Sequence, residues 1–360
     1  MAGGSILGTR VERKEDPKFL TTGGVYVDDL DEELLAGAAH VAYARSAVAH
    51  GTITSIDVEG AKEMPGVIGV FTAADLELQP VPSQFSPTVT RTLLASDKVR
   101  FVGEPVVAVV AETLAQATDA AEMVFVDVDF LPAHVDIEGS LASDSLIYDA
   151  AGSNGVFDTT AIGMPDNTPA EEYFADCEVT ATGRFLNQRV APCPLEVRGS
   201  AATWVDGRLH QWLSTQHAQG VKAPIAAANG VEADKVRIIT PDVGGAFGAK
   251  IGTYAVEMLL GPISKALGRP VRWHETRSES MMNMGHGRAQ LQYATIGGTR
   301  EGKVTHYQLH LFQDAGGFMD VGGVLGFAMT RPMAQAVYDI ANVECRATTV
   351  LTNTTPTVPY

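Results

Sequence analysis

The sequence predicts an α+β fold in two units joined by an irregular linker, and three observations carry that expectation. Strand-length apolar runs are interleaved with helical periodicities but do not alternate strictly with them, which argues against a doubly wound sheet. The 360 residues are 45% hydrophobic and 19% charged, enough to bury two or three domain cores. Between residues 132 and 170 the periodicity gives way to Asp, Ser, Gly and Pro, the composition of a linker. The units are therefore placed at 1–135 and 171–360, with the linker at 136–170.

In the first unit, "LLAGAAHVAYAR" and "GTITSIDV" read as strands and "EGAKEM" as a short helix. "GVIGVFT" (66–72) is a strand after the break at Pro65–Gly66. "EPVVAVVAET" (104–113) is a continuous apolar run and reads as a buried strand. "LAQATDAAEMV" has helical spacing and "MVFVDVDF" alternates as a strand does, so a βαβ-like unit is expected here. In the second unit, "CEVTATGRFLNQR", "GSAATWVDGRLHQWLST", "DKVRIITPDV", "PVRWHE", "KVTHYQLHLFQ" and "NVECRATTVLTN" read as strands. "HAQGVKAPIAAANG" (217–230) and "TYAVEMLLGPISKALG" (253–268) read as helices, the latter ended by Gly268 and Pro270.

Composition narrows the function. The net charge of −17, from 43 acidic and 26 basic residues, repels phosphate backbones and argues against nucleic-acid binding. No window approaches about eighteen consecutive apolar residues, the length of a membrane helix. "MAGGSILGTRVERKEDPKFL" lacks the apolar core of a signal peptide. Cys177, Cys193 and Cys345 are too few and too scattered for a disulfide framework, a CxxC metal site or an iron–sulfur cluster. A cytoplasmic protein is expected. The chain stops at "TNTTPTVPY", straight after a strand, which reads as a cut rather than a natural terminus.

The motif that raises a chemical question is "PDVGGAFGAK" (241–250), a glycine turn at a strand-to-helix junction, where backbone N–H groups can approach an anion. A nucleotide P-loop would need Gly at Ala249 and Ser or Thr at Ile251, and a Gly-x-Gly-x-x-Gly dinucleotide pattern is absent. A structural turn and a cofactor contact both remain open. Gln216, in "WLSTQH", is either a cap or loop residue, or an amide placed to donate into a cleft. "HETRSESMMNMGHGR" (274–288) lacks zinc-protease spacing because position 278 is Ser, and its three methionines are expected to fill core gaps. No Gly-x-Ser-x-Gly nucleophile elbow is present.

Five collinear blocks change the picture: "GTRVERKEDPKFLTTGGVYVDDL", "ARSAVAHGTITSIDVEGAKEMPGVIGVFTAADL", "KVRFVGEPVVAVVAE", "WLSTQ" and "PDVGGAFGAK". In that order and spacing the chain resembles the N-terminal half of the molybdopterin-binding large subunit of the xanthine dehydrogenase, aldehyde oxidase and aerobic carbon monoxide dehydrogenase family. The resemblance implies an a/b hammerhead domain followed by the first part of a molybdenum-cofactor-binding domain. It implies a molybdopterin cofactor, with the cytosine dinucleotide form as one option, and oxidative hydroxylation with water as oxygen source. Electrons would pass to 2Fe-2S clusters on a small subunit and FAD on a medium subunit, in a dimer of heterotrimers. Gln216 matches the glutamine that hydrogen-bonds an oxygen ligand of molybdenum. Gly245, Ala246, Phe247 and Gly248 match the loop against the molybdenum–pterin unit, with the Phe247 main chain in contact with it.

The departures carry information too. The family usually has Gly where this chain has Ala246, and often where it has Ala249; alanine costs little there if φ is negative and more if it is positive. Purine oxidisers carry a substrate-binding glutamate where this chain has Ile251, and a buried isoleucine cannot hydrogen-bond a purine. That argues against xanthine and leaves aldehydes, aromatic heterocycles or carbon monoxide. The family's catalytic glutamate lies beyond position 360, so residues 1–360 alone are expected to be inactive. The alternative is a non-catalytic assembly module of the same fold, and an open reading frame past codon 360 would separate the two.

Overall fold

The computed structural model describes residues 7–8 and 10–360. The signal-peptide reading partly concerns residues 1–6 and 9, which lie outside the described residues. One seven-stranded sheet runs through both expected units. Its order is Val236–Ile239, Arg208–Leu213, Gly199–Val205, Val271–His274, Ala39–Arg45, Pro105–Ala111 and Val67–Phe71. The join is a parallel pairing of Ala39 with Val271 and of His40 with Arg272. Pro105–Ala111 is buried along its whole length because strands flank it on both sides and hydrophobic clusters cover both faces.

The helix Leu114–Ala121 starts at a capping box, Thr113 with Gln116. The strand after it, Phe125–Phe130, does not return to the large sheet as a βαβ unit would. It pairs antiparallel with Gly51–Asp57 in a separate three-stranded sheet. Its alternating pattern leaves one face exposed, which suits a small outer sheet better than the doubly covered main one.

The segment 136–170 also differs from a linker. Asp136 caps the helix Ile137–Leu141, and Gly155–Asp158 adds a strand to a five-stranded sheet by pairing with Asn342–Leu351. Buried Asn154 ties this stretch together, its Oδ1 accepting from Ile147 N and its Nδ2 donating to the carbonyls of Ser140 and Ser145. The short polar side chains that look like solvated linker are satisfying buried backbone groups.

The rest of the five-stranded sheet is Val179–Asn187, Gln290–Gly298 and Val304–Gly316. Of the expected helices, 217–230 shortens to Lys222–Ala228. The stretch 253–268 divides into Ala255–Met258 and Leu260–Leu267, where Pro262 has no N–H to offer Met258 O. Gly268, at φ +64°, ends it as expected. The structure adds a helix, Arg277–Asn283, on a Thr276/Glu279 capping box. Of the three methionines in that region Met284 is buried, but Met281 is 45% exposed and fills no core gap.

Candidate functional site

The glycine loop connects Val236–Ile239 to the helix at Ala255. Three of its residues take left-handed backbone: Gly245 at φ +103°, Phe247 at +52° and Gly248 at +89°. Ala246 and Ala249 do not, so alanine is tolerated at both sites where the family usually has glycine. Gly248 is required for space as well, since a Cβ there would lie 1.6 Å from Pro359 O. The Phe247 ring projects from the loop, 58% exposed.

Gln216 lies across from this loop. Its backbone N donates to Lys250 O at 2.9 Å, and its Oε1 accepts from Gly248 N at 2.8 Å. A backbone donor must face the amide oxygen, so this contact turns Nε2 outward. Gln216 is exposed, and its Nε2 has no protein partner among the described residues. It caps no helix: the following one begins at Lys222 with Val221 at its N-cap. The amides of Gly245, Ala246 and Phe247 likewise have no protein acceptor among the described residues, whereas Gly244 N, Gly248 N and Ala249 N are all bonded.

Lys250 turns inward and meets a carboxylate of the chain itself. It is buried, and its Nζ donates to Glu196 O at 2.9 Å, Glu196 Oε2 at 2.8 Å, Ser214 Oγ at 3.0 Å and Val197 O at 3.3 Å. Burial pushes its ammonium below the usual lysine range, against the pull of Glu196. Glu196 Oε2 also accepts from Gly244 N and from Ser214 Oγ. Sequence reasoning missed Glu196, which carries no local motif beyond a carboxylate inside "APCPLEVRG".

Below the loop the polar groups continue inward. Tyr254 donates to Ala249 O at 2.7 Å and accepts from Gly285 N at 3.1 Å. The guanidinium of fully buried Arg198 stacks 3.8 Å from its ring and pairs with equally buried Glu275. Buried Glu257, whose Oε2 accepts from Tyr254 N, is pushed up to about 7 by desolvation, against the charge of Arg198. Ile251, expected from the sequence to be buried, is only half-buried. His274 and His286 do not converge, the one 3.5 Å from Asp28 and the other near Met281 O.

The amides at positions 245–247, without a protein acceptor among the described residues, and the amide donor of Gln216 are chemically able to receive an oxygen-rich or anionic group, while the loop's glycines let it pack closely on Glu196, Pro194 and Pro359. The donor set is neutral and suits oxygen ligands and phosphate rather than direct coordination of a metal ion.

Residues 21–132 match the a/b hammerhead domain of aldehyde oxidase and xanthine dehydrogenase, and residues 148–360 match the molybdopterin cofactor-binding domain. The chain is 33% identical to the nicotine 6-hydroxylase large subunit of Paenarthrobacter nicotinovorans, over 98% of its own length and 44% of that protein. It is 32% identical to the carbon monoxide dehydrogenase large chain of Hydrogenophaga pseudoflava, over 95% of its length and 44% of the relative. Quinoline 2-oxidoreductase from Pseudomonas putida 86 superposes with a TM-score of 0.89 at 32% identity, covering 99% of this chain and 46% of that one. The chain thus spans less than half the length of these relatives. With a hammerhead domain and a molybdopterin cofactor-binding domain whose match takes in more than half of the chain, it belongs to the molybdopterin-binding large subunits of the xanthine dehydrogenase and aldehyde oxidase family.

Proposed function

We propose that this chain is part of the catalytic large subunit of a molybdenum hydroxylase that oxidises an aldehyde, an aromatic heterocycle or carbon monoxide with water as oxygen source. The observation that carries this reading is the run of amides at Gly245, Ala246 and Phe247 that have no acceptor among the described residues, beside the Nε2 of Gln216. When bound, the molybdenum cofactor supplies two-electron oxidation. Gln216 donates a hydrogen bond to an oxygen at the cofactor without adding charge, the loop amides hold its oxygen atoms, and the Phe247 ring covers it with apolar surface.

Its proposed partners are a medium subunit with FAD and a small subunit with 2Fe-2S clusters, assembled as a dimer of heterotrimers in the cytoplasm. Its proposed cofactor is molybdopterin in its cytosine dinucleotide form. The test is to express the whole reading frame with its neighbouring genes in a molybdate-fed host. Molybdenum and pterin are measured, then incorporation of oxygen from labelled water into aldehyde and heterocycle products. Absence of molybdenum, or product oxygen drawn from O₂, refutes the reading. Residues 1–360 alone should give no turnover above a cofactor-free control.

A further inference from the structure

We propose that Glu196 and Lys250 form a buried clamp that closes both ends of the glycine loop on one carboxylate and so positions Gln216. The inference rests on the role proposed for Gln216 above. Glu196 Oε2 accepts from Gly244 N at 2.8 Å, where the loop begins, and from Lys250 Nζ at 2.8 Å, where it ends. Glu196 N donates to Gly244 O at 3.1 Å, so Glu196 holds the peptide groups on both sides of the Gly244 Cα. At the exit, the Lys250 carbonyl accepts from Gln216 N and from Thr215 Oγ1, both at 2.9 Å. One lysine therefore ties the loop's entry through its side chain and the Gln216 peptide through its backbone.

The geometry leaves little slack. Lys250 has a side chain with no exposed surface and all its donors engaged; Glu196 is 12% exposed and Ser214 links the pair, donating to Glu196 at 2.7 Å and accepting from Lys250 at 3.0 Å. A buried ion pair of this kind adds little net stability over apolar neighbours of equal shape, but it fixes one arrangement, because every other arrangement strands a charge. The arrangement it fixes is the spacing between Gln216 and the Phe247–Gly248 peptide, read out in the 2.8 Å bond from Gly248 N to Gln216 Oε1. Glu196 and Lys250 are accordingly positioning residues that act through Gln216, and the lysine of the motif is turned away from the cofactor side.

The experiment uses the full-length subunit assembled with its partners and compares Glu196→Gln, Lys250→Met and Gln216→Ala, alone and combined. Hydrogen–deuterium exchange is read for peptides covering 242–250 and 214–217, with 105–111 as a remote control. Glu196→Gln and Lys250→Met should each speed exchange of the loop amides at least tenfold, leave the control strand unchanged, and lower kcat with KM preserved. Either change added to Gln216→Ala should lower kcat no further. Unchanged loop exchange in both variants overturns the clamp. So does loss of protection throughout the control strand in Glu196→Gln, which would make the pair general core support. Faster loop exchange combined with full kcat in Gln216→Ala would keep the clamp and remove the role of Gln216.

Discussion

The most informative perturbation is a pair of substitutions at Gln216, because the structure separates the two ends of its side-chain amide. Oε1 accepts from Gly248 N at 2.8 Å, and Nε2 faces out without a protein partner among the described residues. Gln216→Ala removes both ends. Loss of the Gly248 bond should cost about 1 kcal/mol of stability, and loss of one preorganised donor about 3 kcal/mol of barrier, about a hundredfold in kcat. Gln216→Glu keeps an acceptor for Gly248 N and replaces only the donor, adding a like charge beside any oxygen held there. Its stability should match the native protein while kcat falls at least a hundredfold. If Gln216 is only a loop residue, Ala costs the same stability and no rate, and Glu costs nothing. The assay is kcat per bound molybdenum together with the melting temperature of the assembled enzyme. A Gln216→Glu enzyme with native kcat at full molybdenum occupancy refutes the reasoning.

Other consequences follow from the same geometry. Gly248→Ala places a Cβ on Pro359 O at a backbone φ of +89°, whereas at Gly245 the nearest atom is 3.2 Å away. Gly248→Ala should therefore lose molybdenum–pterin content and lower Tm more than Gly245→Ala, and equal effects would contradict the packing argument. Glu275→Ala strands Arg198, whose side chain has no exposed surface, and should cost about 3–5 kcal/mol in urea unfolding; a loss under about 1 kcal/mol refutes this. Glu257 has a folded-state pKa of about 7, raised above its unfolded value by burial. Its contribution is complete below the ordinary carboxylate range and is lost as pH rises through about 7. Glu257→Gln, still able to accept from Tyr254 N, should raise Tm at pH 8 and flatten the fall in Tm from about pH 5 to 8; unaltered pH profiles count against it.

The elements legible in the sequence are those whose own residues impose the structure. Pro105–Ala111 is seven small or β-branched apolar residues and has no other stable place than a buried strand. Gln290–Gly298 was missed because its burial is irregular and it ends in two glycines; two neighbouring strands make it a strand, and they are distant in sequence. The single sheet through both units rests on the pairing of Ala39 with Val271, a register that no local pattern encodes. The helix Arg277–Asn283 does carry a local signal, the Thr276-x-x-Glu279 capping box. At the site, the glycine loop stood out by composition, but Gln216 was marked out by resemblance to a family. Glu196, which meets both ends of the loop, is a lone carboxylate whose partners lie 48 and 54 residues away.

The aromatic inside the glycine loop has a physical account in these contacts. Phe247 holds φ near +52°, a conformation that costs a bulky residue of order 1–3 kcal/mol and persists only where the surroundings over-determine it. The over-determination is visible on both sides of it. Gly244 and Lys250 close on Glu196, Gly248 N is fixed by Gln216, Ala249 N returns to Ala246 O, and Tyr254 holds Ala249 O. With the amides of Gly244, Gly248 and Ala249 bonded, those at 245, 246 and 247 form a contiguous run without a protein acceptor among the described residues. A loop held this firmly does not leave three donors idle through looseness. On the proposed reading, it would present them already oriented to the oxygen atoms of the cofactor, so that little reorganisation is needed on binding.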